Sequence, residues 1–139
     1  MAHHDALTEL PNRSAFNDCI VSTIGLASVS GDNFALLSMD LDRFKSVNDV
    51  FGHDVGDALL REVARRLEAA CQGAFLARLG GDEFAVITPT GTKPGAAEAL
   101  AERMLAAHDS DIDIKGHTLR VGLTIGIGIY PQDGVDAPT

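Results

Sequence analysis

The apolar residues of this chain fall into two patterns that predict different secondary structure. Short, mostly apolar runs at residues 34–39, 75–79 and 85–87 are bounded by turn-forming residues, which is typical of buried strands. After Gly52 the apolar positions recur at helical spacing and predict a helix with one buried stripe. The stripe consists of Val55, Leu59 or Leu60, Val63 and Leu67.

Capping and breaking residues predict three further helices. A first helix can begin at Asn12 or Ser14 and run to about Ala27, and a short helix is expected over residues 44–50. An alanine-rich helix is predicted to end near His108, after a Lys-Pro-Gly segment that marks its start. Together with the strands, these helices alternate irregularly along the chain.

The last predicted element is a hairpin over residues 111–129 that turns near Gly116. The complete order is then α-β-α-α-β-β-α-β-β, without an internal repeat. This order predicts a mixed α/β (α+β) fold, with an antiparallel-rich central sheet flanked by helices.

Length and composition fit one small globular domain over residues 1–139. The chain has 139 residues, of which 45% are hydrophobic, and every apolar stretch is interrupted by charges or glycine. No segment approaches the roughly 18 residues that a membrane span needs, and no secretory signal opens the chain. We therefore expect a soluble, cytoplasmic domain without membrane contact. Cys19 and Cys71 lie in predicted helices and are expected to be reduced thiols, and His3 and His4 are interpreted as a linker.

The chain is strongly acidic, with a net charge of −9. A nucleic-acid partner would require a basic face, so this class of partner is excluded. The same charge would repel a nucleoside triphosphate unless a divalent cation and local basic groups intervened. The charge balance therefore favours a metal-dependent site for any phosphate-bearing ligand.

Residues 80–84 (GGDEF) separate two of the predicted strands and indicate a tight hairpin. Gly80 and Gly81 are predicted to form its two-residue turn, with Asp82 and Glu83 on the return strand. Glycine accepts positive φ and allows a ligand to approach the backbone closely. Carboxylates beside such a turn suggest a metal ion or a phosphate-bearing substrate, although a solvated acidic turn has the same pattern.

A second acidic segment follows the buried strand at residues 34–39. Asp40 and Asp82 can together hold Mg²⁺, with water and substrate phosphates completing the coordination. Asp42 stands where the N-cap of the next helix would fall, and this interpretation is preferred to direct metal ligation. A calcium loop does not fit, because Phe44 and Lys45 occupy its fifth and sixth positions.

Together these segments resemble the GGDEF family of diguanylate cyclases. The resemblance rests on four motifs in the same order and spacing, and it extends from residue 5 to about residue 131. The motifs are DALTELPNR at residues 5–13, DLDRFKSVND followed by FGHDVGD at residues 40–57, GGDEF at residues 80–84, and TIGIG at residues 124–128. The resemblance implies a palm-like nucleotidyl cyclase fold.

The resemblance also implies a reaction, the condensation of two GTP molecules into cyclic di-GMP and pyrophosphate by two-metal catalysis with Mg²⁺, or Mn²⁺ in its place. The expected metal ligands are Asp40, Asp82 and the backbone carbonyl of Leu41. Glu83 is expected to assist ligation or proton removal. Because adjacent strand residues point to opposite faces, Asp82 and Glu83 reach one ion only if the hairpin twists strongly.

Nucleotide-binding roles carry over to the segment after Asp40. Asn48 and Asp57 are expected to bind the guanine edge, Lys45 to approach the phosphates, and backbone N–H groups at Phe44 to contact them. Gly80 and Gly81 would line the nucleotide. Alternative interpretations remain open: Asn48 and Lys45 are ordinary surface residues, and Asp57 pairs with Arg61. Arg78 is similarly ambiguous.

One nucleotide per domain implies that catalysis needs a two-fold homodimer. The family's inhibitory Arg-x-x-Asp pair is replaced by CQGA at residues 71–74, so we expect no product-inhibition site of that kind.

The family's C-terminal helix is absent, and residues 130–137 resemble composite proteins with a following EAL phosphodiesterase domain. The sequence is thus expected to be part of a longer protein with sensor or EAL domains. The alternative function is a non-catalytic, GTP-binding regulatory domain that controls an attached EAL domain.

Overall fold

The computed structural model describes residues 3–131, which form four helices, a four-stranded sheet and a small hairpin. In chain order the elements are α1 (Arg13–Ser30), β1 (Phe34–Leu41), α2 (Phe44–Phe51), α3 (His53–Cys71), β2 (Phe75–Gly80), β3 (Glu83–Ile87), α4 (Pro94–Ala107), β4 (Ile112–Ile114), β5 (His117–Leu119) and β6 (Leu123–Tyr130). Most of residues 130–137, which resemble composite proteins in sequence, lies outside the described residues.

The main sheet has the strand order β2-β3-β1-β6, and every neighbouring pair is antiparallel. The predicted antiparallel-rich sheet is therefore confirmed. The single hairpin predicted over residues 111–129 is wrong in part. The turn at Gly116 joins only β4 and β5, and β6 leaves this pair to lie along β1. Apolar alternation marked both strands, but it could not identify their pairing partners.

One face of the sheet is covered by α3 and α4. Alternate β1 residues, from Ala35 to Leu41, point to this face and are almost completely buried. The predicted α3 stripe is confirmed, since Val55, Leu59, Val63 and Leu67 all belong to this cluster. These contacts form the larger of the two apolar cores.

The opposite face is covered by α1 near β2 and β3. The Asn12 side chain caps α1 by accepting a hydrogen bond from the Ala15 N–H at 3.0 Å, which confirms the predicted start. The helix ends at Gly31, whose φ of +77° suits a left-handed cap. Phe16 and Ile20 pack there against Phe34 in the smaller core.

The end of β1 on the α1 face is open to solvent. Phe34 is buried at the start of the strand, whereas Ser38 and Asp40, on the same face, are exposed. Cys19 is half-buried and Cys71 buried, and both are free, as predicted. Among the described residues, none of the helices is long and apolar enough to cross a membrane. The exposed end of β1 is the part of the sheet where the predicted acidic site lies.

Candidate active site

The hairpin between β2 and β3 turns one residue later than predicted. Gly80 pairs with Glu83, so Gly81 and Asp82 form the two-residue turn. Asp82 therefore belongs to the turn and not to the return strand, which corrects the prediction from the sequence. Gly80 and Gly81 have φ values of +146° and +50°, respectively, and a bulge precedes them after Arg78. The Gly-Gly pair thus permits both the bulge and the turn.

The structure brings the two acidic segments together at one end of the sheet. Asp40 pairs in register with Glu83, so their side chains lie on the same face. The Leu41 N–H donates a hydrogen bond to the backbone carbonyl of Asp82 at 3.3 Å. The three predicted metal ligands, Asp40, Leu41 and Asp82, are thereby neighbours, although Asp40 and Asp82 are 42 positions apart in the sequence numbering.

The position of Asp82 in the turn changes the expected geometry of the two acids. Only Glu83 belongs to β3, so the rule that adjacent strand residues point to opposite faces does not apply to Asp82 and Glu83. Glu83 also has a partner, since the Arg13 guanidinium lies 3.5 Å from its carboxylate. Both side chains of this pair are about half exposed, at 53% and 50%, so the pair contributes little to stability.

The oxygen ligands at this end of the sheet fit Mg²⁺. Two carboxylates and a backbone carbonyl are hard oxygen ligands, and Mg²⁺ commonly takes one or two carboxylates while substrate phosphates and water fill the octahedron. Residues 3–131 contain no group of three or more His, Cys, Asp or Glu side chains arranged to hold a metal without such help. The arrangement therefore suits an ion that arrives with its phosphate ligand.

Asp42 does not cap α2, and this prediction is wrong. Arg43 occupies the cap position in a left-handed conformation, and no side chain caps the helix. Asp42 instead accepts a hydrogen bond from the Thr124 hydroxyl at 2.6 Å, and its N–H donates to the Gly122 carbonyl at 2.9 Å. Asp42 thus ties the β1–α2 loop to β6, and the α2 N-terminus at Phe44 has no side-chain cap to compete with an anion.

Asn48 lies where α2 packs against α3, next to the residue that precedes Asp57. The Asn48 carboxamide packs directly against Gly56, and a Cβ at Gly56 would lie only 1.8 Å from Asn48 Oδ1. Asp57 is the next residue along α3 and is exposed. The alternative Asp57–Arg61 ion pair does not form among the described residues. A glycine at position 56 is therefore what allows the Asn48 carboxamide to pack against α3, one residue before Asp57.

Lys45 is exposed on the first turn of α2. It forms no ion pair within the part of the chain that the structure describes. Its ammonium is therefore free to reach a phosphate, and its role as a surface charge stays open as well.

The comparison with protein families decides the identity of this fold and site. Residues 2–139 match the family described as "Diguanylate cyclase, GGDEF domain". The chain belongs to the GGDEF family. The confirmed sheet and the juxtaposed acids of this GGDEF domain agree with that assignment.

Similar proteins come from bacterial signalling. The chain is 43% identical over 135 residues to the bifunctional diguanylate cyclase/cyclic di-GMP phosphodiesterase MucR of Pseudomonas aeruginosa, covering 96% of this chain and 20% of MucR. It is 40% identical over 133 residues to the diguanylate cyclase TpbB of the same species, covering 94% of this chain and 31% of TpbB. The chain thus spans less than a third of either relative.

Solved structures of GGDEF proteins share this fold. The crystal structure of a sensory box/GGDEF family protein from Caulobacter crescentus superposes with a TM-score of 0.88 at 42% identity. That alignment covers 96% of this chain and 86% of the other. The observed fold is therefore that of the GGDEF domain.

Three residues near the candidate site of this GGDEF domain have structural roles that the sequence left unassigned. Thr124 binds Asp42, and Asp5 and Arg78 form an ion pair of 2.8 Å beside the turn that carries Asp82. Thr124 and Asp5 lie in two of the four motifs, and Arg78 lies two residues before a third. Their positions in or near the motifs were the available sequence signal, but these positions did not reveal which residues they would contact.

Proposed function

We propose that this GGDEF domain is a diguanylate cyclase that condenses two GTP molecules into cyclic di-GMP with release of two pyrophosphates. The observation that carries the proposal is that Asp40, Leu41 and Asp82 are neighbours at one end of the sheet. The α2–α3 pair of Asn48 and Asp57 lies on the segment that follows β1 directly. A metal-phosphate site and a polar base-binding site are thus built on consecutive parts of the chain.

In the proposed reaction the ribose 3′ oxygen of one GTP bonds to the α-phosphorus of the other, and the bond to the β-phosphate oxygen breaks. Pyrophosphate leaves, and the 3′-hydroxyl proton is lost. Asp40, Asp82 and the Leu41 carbonyl would hold two Mg²⁺ or Mn²⁺ ions, of which one would lower the pKa of the 3′-hydroxyl and the other would neutralise charge on the leaving pyrophosphate. Glu83 assists ligation or accepts the proton.

The rest of the nucleotide is bound by α2 and the start of α3. Asp57 accepts hydrogen bonds from the guanine N1–H and N2–H₂ groups, and Asn48 contacts the remaining edge. Lys45 and the N–H groups at Phe44 bind the phosphates, and Gly80 and Gly81 let the nucleotide approach the turn. The exposed Asp57 and uncapped α2 support these roles.

Each domain holds one GTP, so catalysis takes place in a two-fold homodimer. Each subunit then presents the 3′-hydroxyl of its nucleotide to the α-phosphate on the other, and the second cycle of the same chemistry closes the ring. A monomer binds GTP without turnover.

The alternative is a GTP-binding regulatory domain that controls an attached EAL phosphodiesterase domain. It is supported by MucR, whose name gives both activities and of which this chain spans a fifth. We place this domain in the cytoplasm, joined to sensor or EAL domains in a parent protein for which a membrane anchor stays open. The retained Asp40, Asp82 and Glu83 favour catalysis, because binding alone does not require all three acids.

The test is product formation from GTP with Mg²⁺ over a range of protein concentrations. Wild-type protein is expected to form cyclic di-GMP with a rate per subunit that rises as dimers form, and Asp82→Ala to form none. Glu98→Gln on α4, which also changes an exposed acid, is the matched control and should retain activity. GTP binding without product at any protein concentration would contradict the cyclase and leave the regulatory domain.

A further inference from the structure

The Arg78 side chain bridges two segments that lie far apart in the sequence. Its Nε and Nη2 donate to the Gly81 carbonyl at 3.0 and 2.8 Å, and its Nη1 donates to Asp5 Oδ1 at 2.8 Å. One guanidinium thus contacts both the turn that carries Asp82 and the segment before α1.

The segment of residues 3–11 is itself well ordered by hydrogen bonds. Asp5 Oδ2 accepts from the Thr8 N–H and hydroxyl at 2.9 and 2.8 Å, and the Asp5 N–H donates to the Leu10 carbonyl at 2.7 Å. Burial acts to raise the pKa of Asp5, but the hydrogen bonds from Thr8 and Arg78 outweigh it and hold the pKa below 3.8. Asp5 is therefore a fixed, ionised partner for Arg78.

This ion pair is less exposed than the pairs formed by Arg13, Arg65 and Arg120. The Arg78 and Asp5 side chains are only 13% and 18% exposed, so water screens their interaction less. The Arg78 N–H also donates to the Pro11 carbonyl at 2.9 Å, which attaches residues 3–11 to β2 through the backbone. Because its fork-shaped guanidinium has several donors in fixed directions, Arg78 can hold both partners at once.

We propose that Arg78 is a positioning residue for the turn that carries Asp82 and that Asp5 acts through it. The Gly81 carbonyl belongs to the planar peptide unit that joins Gly81 to Asp82. Two hydrogen bonds to this oxygen therefore fix the orientation of that peptide plane and the direction in which the Asp82 backbone continues. Gly81, with φ of +50°, gives the turn little stiffness of its own. A shift of residues 3–11 would move Arg78 and with it the Asp82 carboxylate. The catalytic consequence rests on the proposed cyclase function.

Turnover of Asp5→Asn, Arg78→Lys and the double variant tests this proposal. Lysine cannot reproduce the fork, and the carboxamide that replaces the Asp5 carboxylate lacks its charge. Each single variant should lower kcat about tenfold with KM changed less than about twofold, and the double should resemble the worse single, because the residues act in series. Arg65→Lys, in an exposed ion pair with Glu62 on α3, is the matched control and should stay within about twofold.

Hydrogen–deuterium exchange of residues 79–84 supplies a readout that does not depend on the reaction. Asp5→Asn and Arg78→Lys should speed exchange in this stretch, while Arg65→Lys leaves it unchanged. Unchanged exchange in both site variants, or additive losses of kcat in the double variant, would overturn the proposal. If wild-type protein makes no cyclic di-GMP, the cyclase proposal fails, and exchange alone decides the role of Arg78.

Discussion

The two halves of the candidate site are held in place by different means. At the hairpin, a turn made flexible by glycine is fixed by the guanidinium of Arg78, which is anchored by Asp5. Between α2 and α3, Asn48 is fixed by shape, because Gly56 leaves the space that its carboxamide occupies. Charged contacts thus fix the half that is proposed to bind metal and phosphate, and the absence of a side chain at Gly56 fixes the half that is proposed to bind the base.

Because the two halves are held by different contacts, substitutions in them should impair the domain in different ways. In the proposed reaction the acids act on the reacting phosphates through bound metal, so disturbing the charged half should reduce turnover most. Disturbing the half that depends on shape should weaken nucleotide binding first, because steric displacement of Asn48 removes a ground-state contact.

The largest expected effect is that of Asp40→Asn in the charged half. Removing one metal-binding carboxylate costs several kcal/mol of transition-state stabilisation, so turnover should fall by a factor of about 10² or more. The measurement is cyclic di-GMP production with Mg²⁺, beside Asp18→Asn on the exposed side of α1 as the control. Loss of less than about tenfold would show that Asp40 is not a metal ligand.

Gly56→Ala tests the half that depends on shape. The new methyl group would lie 1.8 Å from Asn48 Oδ1, so Asn48 must move, and the dissociation constant for GTP should rise about tenfold. The clash should also destabilise the fold by about 1–3 kcal/mol. Calorimetric titration with GTP and thermal unfolding measure the two effects.

Gly95→Ala is the matched control for Gly56→Ala. It also lies in a helix, and no atom within 4 Å would meet its Cβ. This variant should stabilise the protein by about 0.5–1 kcal/mol and leave GTP affinity unchanged. Equal behaviour of the two alanine variants would refute the shape argument.

A smaller effect is expected where Asp42 joins the loop after β1 to β6. Thr124→Val removes the hydroxyl that binds Asp42 and should lower the free energy of unfolding by about 0.5–1 kcal/mol, since both residues are exposed. Thr124→Ser keeps the hydroxyl and should behave like wild type. Urea unfolding distinguishes them, and a loss of stability in Thr124→Ser without one in Thr124→Val would assign the effect to the methyl group and contradict the role of the hydroxyl.

The smallest effect concerns pH and lies outside both halves. Burial lowers the pKa of His108 below 6.5; the Met104 carbonyl opposes this shift, as does Glu62, while Arg66 adds to it. The unfolded chain therefore binds the proton first, so stability falls as pH drops below about 6.5 and levels off below the folded pKa.

His108→Leu should flatten the decline in melting temperature between about pH 7 and pH 5. His117→Gln replaces an exposed histidine on β5 and should leave the decline in place. An equally steep decline in His108→Leu would show that other groups cause it.

Much of the fold followed from patterns that are local in the sequence. The cap at Asn12, the α3 stripe and the two short strands around Gly80 were each predicted from neighbouring residues, and the structure confirms these elements. The Asp42 cap failed because Arg43 adopts a left-handed conformation, which local preference disfavours. His3 and His4 were interpreted as a linker, yet the His3 carbonyl accepts a hydrogen bond from the Asn12 N–H.

The sequence by itself determined the order of most elements, the family and the candidate residues of the proposed site. These depend on periodicity and on motifs in which the informative residues are neighbours. Only the tertiary structure decided that Asp82 lies in the turn, that Asp42 binds Thr124 and that Arg78 joins Asp5 to Gly81. Asp5 and Arg78 are 73 positions apart, and Asp42 and Thr124 are 82 apart. Such pairs form because strand pairing and core burial bring distant segments together, and no local preference encodes which partners then meet.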